Sequence, residues 1–271
     1  MKKIVILTGN EQRHKYFRTL LSNSDYFKVI GSFCENDSAS LKKRTLEKKE
    51  SSLLEIQHVL SREQSEKDFF SGYIENTVDK SNAKIIPKGA INDASVVSEI
   101  ERLSPDILAC YGSSIINSNL IDKFESRFLN VHLGLSPYYR GSGTNIWPMI
   151  NGDLSMVGAT FMYIDKGIDT GEIIHQIRPE IFLGDNPHTI GNRLIKKMTV
   201  TYANIIASFD NIKKELQPMS DGKVYKRKDF NENACKILYN NFREGIVENY
   251  INNVKKIEND LPYIVINEGL F

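Results

Sequence analysis

Residues 3–33 read Lys-Ile-Val-Ile-Leu-Thr-Gly-Asn-Glu-Gln-Arg-His-Lys-Tyr-Phe-Arg-Thr-Leu-Leu-Ser-Asn-Ser-Asp-Tyr-Phe-Lys-Val-Ile-Gly-Ser-Phe. Lys3 to Leu7 is a short, β-branched apolar run that stops at Thr8-Gly9-Asn10, the pattern of a parallel strand buried on both faces. From Glu11 to Leu21, the apolar residues Tyr16, Phe17, Leu20 and Leu21 recur at helical spacing. Phe27 to Phe33 reads as a second strand. Strand, tight turn, helix and strand in this order open a doubly wound α/β sheet.

Further along, residues 36–83 are rich in Lys, Glu, Ser and Gln, with Leu53, Ile56 and Leu60 at helical intervals. They read as a helical insertion, and Lys42-Lys43-Arg44 and Lys48-Lys49 as a solvated face. The sheet resumes at Lys84-Ile85-Ile86. Asn92 or Asp93 caps a helix over Ala94 to Leu103. Strands are expected at 107–111, 128–131, 158–164 and 173–177. Short helices are expected near 117–124 and 145–150, and a long helix from Asn186-Pro187 to about Ser208. The alternation favours a mostly parallel sheet with right-handed crossovers. Residues 209–271 read as a small, mainly helical extension. Within it, Leu261-Pro262-Tyr263-Ile264-Val265-Ile266 suits a strand docked on its own chain or on a neighbouring subunit of a homodimer.

The chain has 271 residues, 41% apolar and 25% charged, the composition of a soluble globular protein rather than a disordered, fibrous or membrane one. Lys and Arg number 35 against 34 Asp and Glu, a net charge of +1, so there is no general affinity for nucleic acid or an anionic membrane. Cys34, Cys110 and Cys235 lack the spacing of a disulfide framework or a zinc site, and no metal is expected. The apolar stretch after Met1-Lys2-Lys3 is too short for a signal peptide, and no run nears the ~18 residues that span a bilayer. A cytoplasmic location fits these features.

The chemistry gathers in Asn130-Val131-His132-Leu133-Gly134-Leu135-Ser136-Pro137-Tyr138-Tyr139-Arg140-Gly141 and in Asp165-Lys166-Gly167-Ile168-Asp169-Thr170-Gly171. Asn130 and His132 are two apart on a strand, so they share a face at its carboxyl end, where open α/β folds bind ligands. An Asn amide can donate to a developing oxyanion, a His can move a proton, and an Asp can orient that His. No Ser or Cys stands in a nucleophile elbow, which favours direct acyl-type transfer. Each signal taken singly has a plainer explanation: Asn-x-His as a structural pair, Asp-x-Gly as turn chemistry. Trp147 suits the core, and Thr8-Gly9-Asn10-Glu11 suits an ordinary turn as well as a phosphate cradle. His14, His58, His175 and His188 show no metal spacing and read as surface or partly packed.

Taken together, Asn130-Val131-His132, Leu135 to Gly141, Asn151-Gly152-Asp153, Gly158 and Asp165 to Gly171 resemble the formyltransferases that use 10-formyltetrahydrofolate. Members of that family act on glycinamide ribonucleotide, methionyl-tRNA or nucleotide-linked amino sugars. The resemblance runs over roughly residues 84–200. It implies a Rossmann-like catalytic domain over 1–208, with an extension at 209–271. It also implies a catalytic trio of Asn130, His132 and Asp169. Tyr111, Gly112, Ser113 and Ile115 would contact the pterin of the formyl donor, with Tyr163, Asp165 and Gly167 forming the other wall. Gly9, Asn10 and Glu11 would lie near the acceptor's phosphate or nucleotide, and Ser136, Tyr139 and Arg140 near the acceptor. The family commonly shows Ser-Leu-Leu-Pro where this chain has Gly134-Leu135-Ser136-Pro137, so a side chain is missing beside the catalytic His.

The extension is near neutral, with ten Lys and Arg and nine Asp and Glu in residues 211–271. It reads as too short and too uncharged for a tRNA-holding domain. The expected acceptor is therefore a small amine, foremost a nucleotide-linked amino sugar. The basic cluster in Gly222-Lys223-Val224-Tyr225-Lys226-Arg227-Lys228 suits a diphosphate or a solvated turn. Glycinamide ribonucleotide or methionyl-tRNA is the alternative acceptor. A non-catalytic folate- or nucleotide-binding module is the rival of another class.

Overall fold

The computed structural model describes residues 1–38, 40–218, 222–257 and 261–270. Strand β1 (Lys2–Thr8) is followed by helix α1 (Gln12–Ser22) and strand β2 (Phe27–Glu35), which pairs parallel to β1. Ile4 to Leu7 are fully buried. Ile4 and Ile6 pack with Phe17 and Leu21 of α1, whereas Val5 and Leu7 join the core on the opposite face. A strand covered on both faces needs no polar alternation, which is why its sequence is a continuous apolar run.

Helices α2 (Leu41–Glu47) and α3 (Leu53–Asn76) connect β2 to β3 (Ala83–Ile86). Residues 36–83 are helical as expected, but α3 is no outlying excursion. It packs against α1, buries Val59 and Phe70, and belongs to the layer that covers one sheet face. A capping box starts it: the Ser52 hydroxyl accepts from the Glu55 amide at 3.3 Å, and the Glu55 carboxylate accepts from the Ser52 amide at 2.9 Å. The chain continues through α4 (Ala94–Leu103), β4 (Ile107–Tyr111), α5 (Ser118–Ile121) and β5 (Phe128–His132). Next come β6 (Tyr139–Gly141), α6 (Trp147–Ile150), β7 (Ala159–Tyr163) and β8 (Ile173–Ile177). Helix α7 (Pro187–Ala207) starts at the Asn186 cap, and β9 (Lys223–Tyr225), α8 (Glu232–Arg243) and α9 (Ile246–Ile257) complete the order.

The main sheet runs β3-β2-β1-β4-β5-β7-β8, parallel from β3 to β5 and antiparallel at β7 and β8. The chain reverses its direction of travel between β1 and β4, so the carboxyl ends of β1, β4 and β5 meet at a switch point. A feature the sequence reading missed is a small second sheet, in which β9 pairs parallel to β6. It brings the extension against the block that carries the chemistry. Trp147 is buried, and its ring stacks on Tyr225 at 4.4 Å.

The segment around Leu261 to Ile266 docks on its own chain. The Gln176 amide donates to the Val265 carbonyl at 2.8 Å, and the Asn267 amide donates to His175 Nδ1 at 3.0 Å. The expectation of surface histidines is corrected, because His14, His58, His175 and His188 are all buried. His58 and His188 lie with Phe230 and Tyr239 where α3, α7 and α8 meet, and the Tyr239 hydroxyl is 3.0 Å from His58 Nδ1. All three cysteines are buried free thiols. No helix among the described residues is long and apolar enough to cross a membrane.

Candidate active site

Strand β5 delivers Asn130 and His132 to one face, in register with Met162 and Thr160 of β7. Asn130 is half-buried, and its side chain makes no hydrogen bond to a described residue, which leaves the amide free to donate. Asp169 comes from the loop between β7 and β8. Its backbone is left-handed, with φ of +53°, a conformation that Asp tolerates better than most residues. That twist sets Asp169 Oδ2 3.3 Å from His132 Nδ1, and the same oxygen accepts from the Gly141 amide at 2.9 Å. Two sequence-named residues from distant segments are therefore in contact.

The other nitrogen of His132 reveals the proton arrangement. Nε2 lies 2.9 Å from the Tyr139 carbonyl and 3.1 Å from Thr144 Oγ1. The Thr144 hydroxyl gives its proton to the Leu133 carbonyl at 2.8 Å. Both neighbours of Nε2 therefore accept, and Nε2 must carry a proton. The Asp169 contact is favourable only when Nδ1 carries one as well, so the ion-paired form is the imidazolium. Gly134 makes this possible: a Cβ there would lie 2.6 Å from His132 Nε2 and 2.8 Å from Thr144 Cβ. The missing side chain noted in the sequence is the space that the Thr144–His132 contact fills.

The Asp169 loop is fastened from the extension. Gln217 Nε2 donates to the Asp169 carbonyl at 2.9 Å and to the Gly171 carbonyl at 2.8 Å. Asp165 shapes the loop from within, accepting from the Gly167 amide at 3.0 Å and from Thr170 Oγ1 at 2.8 Å. Tyr163 is half-buried under Lys214. On the β4 side, the Tyr111 side chain is buried, whereas Gly112 (φ +71°) and Ile115 stand exposed with Ser113 between them. Among the acceptor candidates, Ser136 is 1% exposed and faces inward. Tyr139 Oη accepts from Asn151 Nδ2 at 3.0 Å, and Arg140 Nη2 reaches the Gly222 carbonyl at 3.4 Å.

At the β1 end, the turn of Gly9, Asn10 and Glu11 is differently occupied. The His14 backbone amide donates to the Glu11 carbonyl at 2.9 Å, and the Glu11 amide donates to His14 Nδ1 at 3.1 Å. Arg13 pairs with Glu11 and, at 2.7 Å, with Glu66. Against the penalty of burial, Arg13 and Arg62 pull the Glu11 carboxyl down to about 2. Burial, with the charge of Arg13, pushes His14 well below the ordinary histidine value. Its ring fits because residue 112 is glycine; a Cβ there would sit 2.3 Å from His14 Nε2. Asn10 and Glu11 also line a pocket of about 290 Å³ with Lys15, Lys42, Arg62 and Lys67.

Thr144 and Gln217 were not singled out in the sequence. The glycine departure at 134 was the available signal for Thr144. Gln217, 48 residues beyond Asp169, carried none. Among the described residues, no group of three or more His, Cys, Asp or Glu is placed to hold a metal ion.

The sequence pattern described as Formyl transferase matches residues 1–206. A methionyl-tRNA formyltransferase of Finegoldia magna is 29% identical over 206 residues, covering 70% of this chain and 64% of the relative. The chain thus spans less than two thirds of that relative's length. Two solved structures share the fold. One is the phosphoribosylglycinamide formyltransferase of Anaplasma phagocytophilum (TM-score 0.55, 14% identity, 83% of this chain and 98% of that one). The other is a sugar N-formyltransferase from Shewanella (TM-score 0.55, 18% identity, 85% and 78%).

Proposed function

Because the chain belongs to the formyl transferase family, we propose that it moves a formyl group from 10-formyltetrahydrofolate to a primary amine of a small acceptor, foremost a nucleotide-linked amino sugar. In this reaction, the amine nitrogen bonds to the formyl carbon, the bond from that carbon to folate N10 breaks, and the amine's proton passes to N10. The observation that carries the reading is the convergence of His132 and Asp169 at 3.3 Å beside the unengaged Asn130 amide. Asn130 donates to the oxygen of the tetrahedral carbon, and the imidazolium of His132 supplies positive charge beside it. Asp169 keeps that charge in place and relays the proton. The exposed irregular backbone at Gly112 to Ile115 suits the donor and acceptor edge of a pterin, with Tyr163, Asp165 and Gly167 opposite.

The acceptor class rests on charge. A net +1 spread without a basic stripe does not suit a polyanionic macromolecule. A local cluster of exposed cations does surround β9. Partial burial and the nearby Arg227 hold the Arg44 guanidinium below its ordinary value. β9 is flanked by the exposed Lys223, Lys226, Arg227 and Lys228. Cations held this close are what a diphosphate relieves. The Finegoldia relative favours methionyl-tRNA as the second reading.

The test is incubation with 10-formyltetrahydrofolate and a panel of amines, comprising nucleotide-linked amino sugars, glycinamide ribonucleotide and methionyl-tRNA. Release of tetrahydrofolate and a mass gain of one formyl group on a nucleotide-linked sugar is the expected result. Formylation of tRNA alone would replace the acceptor class. Binding without release would mark a non-catalytic module.

A further inference from the structure

Glu35, the last residue of β2, is a fully buried carboxylate that the reaction scheme does not use. A charge in that position is costly unless every lone pair is engaged. Three donors from two separate segments meet it: Lys88 Nζ at 2.7 Å, the Gly89 amide at 2.8 Å and the Ser114 amide at 2.6 Å. Burial works against the charged form, yet Lys88 and the Ser114 amide hold the carboxyl below its ordinary value. Ser114 belongs to the irregular segment that leaves β4. A second side chain grips the same segment, since Asn92 Nδ2 donates to the Ile115 carbonyl at 2.9 Å and Asn92 Oδ1 accepts from the Asn117 amide at 2.8 Å. Within the segment, the Ser113 hydroxyl donates to the Ser114 carbonyl at 2.9 Å. Residues 113–117 lie outside helix and strand, so side chains supply the order that a ladder would otherwise provide.

We propose that Glu35 and Asn92 are positioning residues for the formyl donor, clamping residues 113–117 into a preformed platform whose remaining backbone groups receive the pterin ring. This rests on the folate reading above. It adds that donor affinity depends on a carboxylate on β2, with β1 and β4 between it and β5, without contact to any reacting atom. The physical basis is preorganisation: a loop already held in its bound shape does not lose its freedom when the ring arrives.

The experiment uses the full chain, with E35Q and N92A compared against the wild type. Gln at 35 keeps the shape but turns an amide group toward three donors. Asn92 is only half-buried, so N92A keeps the proposal testable if E35Q does not fold. Two quantities are read: amide hydrogen exchange at Ser114 and Asn117, whose amides Glu35 and Asn92 hold, and the dissociation constant for tetrahydrofolate. In E35Q, Ser114 exchange accelerates and the dissociation constant rises about tenfold, while kcat at saturating formyl donor and KM for the acceptor stay within about twofold. N92A shows the same pattern at about threefold. Unchanged exchange overturns the clamp. Accelerated exchange with unchanged folate affinity overturns its role in donor binding. Failure of the wild type to bind tetrahydrofolate overturns the folate reading and the positioning role with it, while the exchange measurement still reports the clamp separately.

Discussion

The turn after β1 and the loop after β5 reach the same sheet edge, and both carry acidic, amide and imidazole side chains. They end in opposite states. At the β1 turn, most polar groups consume one another: Arg13 joins Glu11 to Glu66 and His14 Nδ1 accepts from the Glu11 amide, while His14 Nε2 is buried against Gly112 without a partner among the described residues. At β5, the buried nitrogen of His132 is satisfied by Tyr139 and Thr144, which leaves the Asp169 ion pair and the Asn130 amide for chemistry. Residue type alone does not mark a site. What marks one is polar capacity that the fold supports but does not use up.

The comparison breaks first at His132. His132→Ala should lower kcat about 10³-fold with the true acceptor, and Asp169→Asn about 10²-fold, read by tetrahydrofolate release; near wild-type turnover would remove the trio. The second test concerns the four buried histidines outside the site. Burial lowers His58 to about 3, with the charge of His188 adding, and burial lowers His175 and His188 to about 4. Their folded values lie below the unfolded one near 6.5. Their stabilisation is therefore complete above pH 6.5 and is lost as the pH falls through 4 and 3. The unfolding free energy from urea titration should drop by about 1 kcal/mol per buried histidine at pH 5.5, and a flat profile between pH 7 and 5 would contradict their neutral burial.

Smaller effects sharpen the contrast. Thr144→Val removes one acceptor from Nε2 and should cost about tenfold in kcat with KM for the formyl donor unchanged. Thr144→Ser should restore most of it, and ¹⁵N spectra should show the proton on Nε2 in the wild type. A neutral His132 carrying its proton on Nδ1 would overturn the assignment. Glu11→Ala should lower unfolding free energy by about 1 kcal/mol through the lost pairing with Arg13, measured by denaturant titration. An equal or larger loss of kcat would show that the β1 turn is not self-contained.

Much of this was legible before the structure. The apolar run from Lys3 to Leu7, the Asn186-Pro187 helix start and the strand-end pair of Asn130 and His132 all follow from local rules of period, capping and alternation. The four histidines misled, because an isolated His gives no sign that distant segments will close over it, as α3, α7 and α8 do at His58 and His188. The helices at 36–83 were predicted, but not that α3 packs into the layer over the sheet. That depends on α1 and α7, whose residues lie far away in sequence. The Gly134 departure was visible, and its meaning was not, because Thr144 had to be folded back onto His132 first.

Short-range pattern in the sequence is enough to specify a doubly wound sheet and to place Asn130 and His132 on its carboxyl edge, while Asp169 is named through the family resemblance. It does so because strand alternation and turn chemistry act over a few residues. The protons on His132, the Gln217 hold on the Asp169 loop and the burial of Glu35 belong to tertiary structure. Each depends on a hydrogen bond between segments that only the closed fold brings within 3.3 Å.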